Sequence, residues 1–272
     1  MNANKIPHED MMRYSRQIIL DGFGLEGQKK LKAAKVLVIG AGGLGSPILF
    51  YLAAAGIGTI GIADFDTVTL SNLNRQISHF TDDIGRKKTD SAADKIRALN
   101  PTIKIEKFNF RLDIDNIEEV IDQFDLVIDA TDNFTSRYLI SDCCFLMGKP
   151  LVSGAASGFT GIVMTIIPKK TACYRCLYPE PPLDGSIETC NDTGILGMVT
   201  GVIGSLQALE AAKLITGIGE TVSDRIIVFD ALTTEFIDLK ITRSEKCALC
   251  GDHPTITELN EYTVPCKVKE IY

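Results

Sequence analysis

The chain has 272 residues, 45% apolar and 23% charged, proportions of an ordinary globular protein with material for one large α/β domain or two small ones. Its net charge of −7 excludes nucleic acid as the main partner, because a phosphate backbone requires a basic footprint. Eight cysteines without an apolar leader at the N-terminus point to a reducing, cytoplasmic setting, where thiols bind metal or do chemistry.

In chain order, residues 8–20 carry Met11, Tyr14, Ile18 and Ile19 at helical spacing, with Arg13 and Arg16 between them. A second short amphipathic helix is expected over 25–33. Residues 35–40 open with KVLVI, an apolar run rich in β-branched residues that reads as a buried parallel strand. Gly40-Ala41-Gly42-Gly43-Leu44-Gly45 follows, and Ser46-Pro47 opens an apolar helix over 45–55 with Gly56 as its C-cap. This is G-x-G-x-x-G between a strand and a helix. Gly40 serves the tight turn, Gly42 lets backbone approach a phosphate, and Gly45 lets helix and sheet pack closely. The helix N-terminus offers free N–H groups to an anion. A strand over 59–64 completes a βαβ unit. Its terminal Asp64 lies 19 residues past Gly45, where a strand-end carboxylate meets a ribose hydroxyl.

Residues 70–76 (LSNLNRQ) are polar and read as irregular. A helix over 87–99 ends before Asn100-Pro101, a strand covers 103–108, a short helix 116–121 and a buried strand 125–129. Thr131-Asp132-Asn133 then sits at a carboxyl end of the sheet, where open α/β folds bind ligands, and Asn133 is placed to cap a helix running to Met147. Cys143 and Cys144 on that helix read as core. Further strands are expected over 151–153 and 162–167, a proline- and glycine-containing loop over 178–192, a helix over 194–216 and strands over 226–229 and 235–239. Residues 195–209 are apolar and contain Gly197-x-x-x-Gly201, but are too short to span a bilayer. They read as a core or subunit-interface helix. The fold class is therefore α/β: a Rossmann-like, doubly wound, mostly parallel sheet with a C-terminal antiparallel extension. No membrane association is expected.

Two constellations carry chemistry. Cys173-x-x-Cys176 and Cys247-x-x-Cys250 supply four thiolates, which suit a closed, structural, tetrahedral zinc site. It would tie the C-terminal segment to the middle of the chain. Near the glycine loop, Arg75 and Lys88 are placed to face phosphates, and Asp132 to hold Mg²⁺, which prefers one or two carboxylates plus phosphate oxygens. Together they suggest a triphosphate with its metal rather than the pyrophosphate of NAD.

These residues carry a family resemblance. RYSRQIIL (13–20), VIGAGGLGSP (38–47), DFDTVTLSNLNRQ (64–76), IGRKKTDSA (84–92), DATDN (129–133), CYRCLYP (173–179), GVIGSLQALEAAK (201–213) and CALCG (247–251) occur in family order over nearly the whole of 10–251. The chain resembles the MoeB/ThiF family of adenylyltransferases, relatives of ubiquitin-activating enzymes. The resemblance implies an adenylation domain over 1–251 that includes the zinc site, with 252–272 as a peripheral tail. It implies that the enzyme binds ATP–Mg²⁺ and the C-terminal Gly-Gly tail of a ubiquitin-like sulfur carrier, and makes the carrier acyl-adenylate and pyrophosphate. Gly42 and Asp64 would meet the nucleotide, and Asn72, Arg75 and Lys88 the phosphates and ribose. Asp132 would be the magnesium ligand, and Arg16 would reach in from the other subunit of a homodimer. Asn74 departs from the family's usual glutamine. Cys190 falls where thiamin-branch members carry a cysteine that joins the activated carrier, so covalent partner and passive thiol both stand. Cys266 has no evident partner. Without a rhodanese-like sulfurtransferase domain, the sulfur donor is expected to be separate, such as a cysteine desulfurase or rhodanese. The carrier's pathway stays open between thiamin, molybdopterin and others. The rival readings are an NAD-dependent oxidoreductase and a non-catalytic carrier-binding scaffold.

Overall fold

The computed structural model describes residues 7–181 and 194–261. The chain begins with α1 (His8–Arg13) and α2 (Ser15–Ile18), where one helix over 8–20 is predicted. The break falls at Tyr14, whose backbone leaves helical geometry at φ −102°, ψ 12°. Tertiary contacts hold it there: Tyr14 is buried and its hydroxyl accepts from Asn100 Nδ2 at 2.8 Å. After α3 (Gly24–Ala33) comes β1 (Lys35–Ile39), then α4 (Gly45–Ala55) and β2 (Thr59–Ala63). The segment predicted to be irregular contains a single 3₁₀ turn, Leu70–Asn72, closed by Thr69 and Asn72 side chains.

Further along run α5 (Lys88–Leu99), β3 (Lys104–Phe108), α6 (Ile117–Asp122), β4 (Leu126–Asp129), α7 (Phe134–Met147), β5 (Leu151–Ser157) and β6 (Thr160–Ile166). The last elements are α8 (Tyr174–Leu177), α9 (Gly197–Thr216), β7 (Arg225–Asp230) and β8 (Glu235–Lys240). The strands form one sheet in the order β3-β2-β1-β4-β5-β6-β7-β8. Pairings from β3 to β5 are parallel, and those from β5 to β8 are antiparallel. Strand order reverses between β1 and β4, so their carboxyl ends flank the crevice where such sheets bind ligands.

Both faces are covered. Along β1, Val36 and Val38 join a core built with α4, α5 and α9, whereas Leu37 and Ile39 join one built with α6 and α7. This period-2 alternation between two buried faces is why KVLVI is apolar throughout. Cys143 and Cys144 are buried in the second core, as expected. Among the described residues, α9 alone has the length and hydropathy to cross a membrane. The apolar stretch lies in a helix of 20 residues that starts three residues later than the helix predicted over 194–216. Its Val199, Ile203, Ala208 and Ala211 pack into the first core. Glu210 on the same helix is buried and accepts from Thr165 Oγ1 at 2.7 Å and Val222 N at 2.6 Å.

Candidate active site

The glycine loop joins β1 to α4 with little slack. Gly40 adopts φ +101°, and a Cβ there would lie 2.6 Å from Ala130 O. A Cβ on Gly45 would lie 2.0 Å from Gly40 O, so Gly45 serves close packing rather than the ligand face. Gly42 is different: its Cβ would meet only the Gln76 side chain, at 3.5 Å.

Ala41 is clamped from both sides. Its N–H donates to Asp64 Oδ2 at 2.8 Å, and its carbonyl lies 2.8 Å from His79 Nε2. A carbonyl only accepts, so Nε2 carries the proton and Nδ1 accepts from Ser91 Oγ at 2.9 Å. Burial lowers the His79 pKa, in keeping with a neutral ring. Below the loop, Ser46 Oγ donates to Gly42 O at 2.8 Å.

One cleft collects Gly40, Gly42, Asp64, Arg75, Lys88, Asp132 and Asn133. Asp64 uses its second oxygen to accept from Asp66 N at 2.9 Å. Arg75 Nη1 donates to Ser71 O at 2.9 Å and to Asn74 Oδ1 at 3.0 Å, so the unusual Asn74 steadies the arginine beside it. Lys88 is buried, and its Nζ pairs with Asp66 Oδ2 at 2.8 Å. Asn133 caps α7 by accepting from Ser136 N at 2.9 Å, as its position predicted. Asp132 is exposed to the cleft and, among the described residues, has no hydrogen bond or ion pair.

Three other sequence candidates stand apart. Gly45 lies behind the loop. Asn72 does not line the cleft and accepts from Thr69 N at 3.1 Å. Arg16 is exposed on α2, outside its own chain's cleft. Cys190 and Cys266 lie outside the described residues.

The cleft also contains residues that sequence reasoning missed. Asp66 could have been read from its position two past Asp64 in an extended segment, and Arg137 from its position one helical turn past Asn133. Nothing local marks Arg111, whose guanidinium lies 5.8 Å from the Phe65 ring centroid. Phe65 and Phe110 make an apolar wall. Arg75, Lys88, Arg111 and Arg137 thus face Asp64, Asp66 and Asp132 across one cleft. Burial raises the pKa of Asp129, just beneath it, against the opposing pull of Arg137.

The four cysteines converge at a second site. Their sulfurs all lie within 4.8 Å of one another, with Cys173–Cys176 at 3.9 Å, Cys173–Cys247 at 3.5 Å and Cys176–Cys250 at 3.3 Å. Thiolates at about 2.3 Å from a tetrahedral zinc stand roughly 3.8 Å apart, so the set fits that ion. Ser244 N and Cys250 N approach Cys176 Sγ and Cys247 Sγ at 3.4 and 3.5 Å, outer contacts that orient such ligands. Between the thiols alone, protons divide unequally. Cys173, donating to Cys250 and buried, is pushed far up, whereas Cys250, accepting, falls to about 5. Full ionisation of the four calls for a dication.

Residues 14–249 match the model of the ThiF family. A curated Thermus thermophilus protein named sulfur carrier protein adenylyltransferase is 43% identical over 266 residues, covering 96% of this chain and 98% of that one. An Arabidopsis thaliana protein named adenylyltransferase and sulfurtransferase MOCS3 is 49% identical over 251 residues, covering 92% of this chain and 54% of that one. The chain therefore spans about half the length of that relative. Among solved structures, the microcin C7 biosynthetic enzyme MccB in complex with N-formylated MccA superposes with a TM-score of 0.77 at 25% identity, covering 90% of this chain and 77% of that chain. A family match over most of the chain, with a relative matched almost end to end, shows that the protein belongs to the ThiF family.

Proposed function

We propose that this chain adenylates the C-terminal Gly-Gly carboxylate of a ubiquitin-like sulfur-carrier protein, using ATP and releasing pyrophosphate. The observation that carries the reading is the single cleft that joins the glycine loop, Arg75, Lys88 and Asp132, which has no partner among the described residues. Four cations exceed what the pyrophosphate of a dinucleotide needs. The names of the Thermus and Arabidopsis relatives support the same reading.

The attacking carboxylate is already ionised at neutral pH, so no general base is required. The difficulty is bringing it to a polyphosphate of the same sign. Arg75 and Lys88 offset that repulsion and align the phosphates, Gly42 lets the loop approach them, and Asp64 meets the ribose. Mg²⁺, when bound, neutralises phosphate charge. Asp132 is the residue to hold it: an exposed carboxylate with free lone pairs suits an ion that keeps waters and shares phosphate oxygens. The four cysteines would hold a structural zinc.

The adenylation unit is taken as residues 1–251 with the cysteine cluster, and 252–272 as a peripheral tail. A homodimer completes the site by bringing Arg16 from the partner, in keeping with its exposure outside its own cleft. The sulfur donor is taken to be a separate protein, such as a cysteine desulfurase or rhodanese. Cys190 is the candidate for any covalent link to the carrier.

Carrier-dependent exchange of labelled pyrophosphate into ATP tests the proposal. Exchange should appear with at least one Gly-Gly carrier, and Asp132→Ala should reduce it by about 100-fold or more with the fold intact. Absence of exchange with every such carrier, or full activity in Asp132→Ala, would refute it.

A further inference from the structure

Thr131 links β4 to Asp132, and every polar group it owns is engaged. Its N–H donates to Asp129 Oδ1 at 3.0 Å, and its hydroxyl donates to the same oxygen at 2.7 Å. Its carbonyl accepts from Arg137 Nη2 at 2.8 Å. Asp129 is buried and is itself steadied by Ser153 Oγ, which donates to Oδ2 at 3.1 Å. Arg137 is only 8% exposed, and its Nε is buried without a hydrogen-bond partner. On the far side of Asp132, Asn133 is fixed by its cap on α7.

Two buried charges are a costly way to hold a turn, and apolar residues of similar size do as well for stability alone. Here one charge binds the donors of a single threonine and the other binds its acceptor. The residue that follows is the one cleft carboxylate with no partner among the described residues. The flanking backbone is fixed on both sides, while the Asp132 side chain is left free.

We propose that Asp129 and Arg137 are positioning residues that clamp Thr131 so that Asp132 meets a divalent cation in fixed geometry. The identity of that ion as the Mg²⁺ of ATP rests on the adenylation reading; the clamp does not. Mg²⁺ tolerates little departure from octahedral coordination at about 2.0–2.1 Å, so a carboxylate on a loose turn binds it poorly. Changes to the groups that orient a metal ligand typically cost 10–100-fold in metal affinity.

The test uses the full chain with Mn²⁺ as the probe, followed by electron paramagnetic resonance in the presence of a non-hydrolysable ATP analogue. Thr131→Val keeps the side chain's shape and removes only the hydroxyl. It and Arg137→Gln should each raise the Mn²⁺ dissociation constant about tenfold, whereas Thr131→Ser should restore it. In Thr131→Val, affinity for the analogue in EDTA should stay unchanged and excess Mg²⁺ should recover pyrophosphate exchange, whereas excess Mg²⁺ should not recover it in Asp132→Ala. If Arg137→Gln does not fold, the Val and Ser pair at Thr131 carries the test. Unchanged Mn²⁺ affinity in Thr131→Val would overturn the proposal. So would an equal loss of metal-free nucleotide binding in Thr131→Val, since the hydroxyl would then serve the nucleotide itself. Wild-type Mn²⁺ affinity in Asp132→Ala would also overturn it. If the expected Mn²⁺ pattern holds while wild type shows no exchange with any carrier, the clamp stands and the adenylation reading falls.

Discussion

Removing the charge of Asp142 tests how the cysteine cluster is braced against the sheet. Arg175 lies between Cys173 and Cys176, and its guanidinium meets Asp142 on α7 in a two-pronged pair, Nε to Oδ1 at 2.9 Å and Nη2 to Oδ2 at 2.8 Å. Both side chains are buried, at 4% and 0% exposure. Nη1 also donates to Pro179 O at 3.2 Å, and the guanidinium lies 4.8 Å from the Tyr138 ring centroid. Asp142→Asn keeps the shape but removes the anion that faces a buried cation, a change that costs about 3–5 kcal/mol. Against a total stability of about 5–15 kcal/mol this is a large fraction. At roughly 2–4 °C per kcal/mol for a chain near this size, the melting midpoint should fall by about 6–20 °C. Denaturation with urea gives the free energy directly. The double change Asp142→Leu with Arg175→Met removes both charges and should recover much of the loss, falling short by about 1–3 kcal/mol because Pro179 O loses its donor. A loss below about 1 kcal/mol in Asp142→Asn would show that the pair is solvated in solution and that the reasoning is wrong.

Other outcomes follow from the same structure. Purified protein should contain one zinc per chain by elemental analysis, and Cys250→Ser should lose it and melt lower; a fully folded, metal-free wild type would contradict the four-sulfur geometry. Gly45→Ala forces a methyl against backbone and should destabilise the fold by about 1–3 kcal/mol in urea, whereas Gly42→Ala should keep its stability and weaken nucleotide binding. For His79, burial holds the folded pKa below 6.5, so the unfolded chain binds the proton more readily. Its contribution to stability is complete above pH about 6.5 and is lost as pH falls below it, and urea titrations at pH 8 and 5.5 should show a smaller drop in His79→Gln than in wild type. Lys88, Asp64 and Asp83 are the charged groups acting on that ring.

Much of this arrangement was legible from residue order because it rests on local chemistry. A β-branched run, a glycine hexapeptide and a following apolar helix leave few alternatives, and the crevice at β1 and β4 follows from them. The two Cys-x-x-Cys pairs announced a cluster because only proximity in the fold makes their spacing useful. What escaped is tertiary. The break at Tyr14 depends on Asn100, 86 residues away, and no local pattern encodes it. The spacing from Asn133 could place Arg137 near the cleft, but only the fold brings its guanidinium back to the Thr131 carbonyl. Asp66 and Lys88 are 22 residues apart and pair only because the loop between them returns to bridge Thr67 with Lys87. Helix and strand ends shifted by a residue or more for the same reason: periodicity marks buried faces, not the hydrogen bonds that stop an element.

The cleft's cations differ in a way that bears on how it receives a polyanion. Arg75 and Arg137 are held by neutral oxygens, the first by Ser71 and Asn74 and the second by Thr131. Such contacts fix a guanidinium in place without cancelling its charge, so the field is organised before the ligand arrives. Lys88 instead rests on a carboxylate, Asp66, and an incoming phosphate must share or displace that partner. The distinction follows from the side chains. A planar guanidinium has five donors in a fixed fork and can hold neutral oxygens and a phosphate at once, whereas an ammonium is a compact point charge with three donors. Asp66 therefore offsets the charge of Lys88 at 2.8 Å, and the arginines keep the cleft attractive. Asp132, with no partner among the described residues, leaves one carboxylate in a basic cleft uncommitted, an arrangement that suits the proposed metal-bound polyphosphate better than a simple anion.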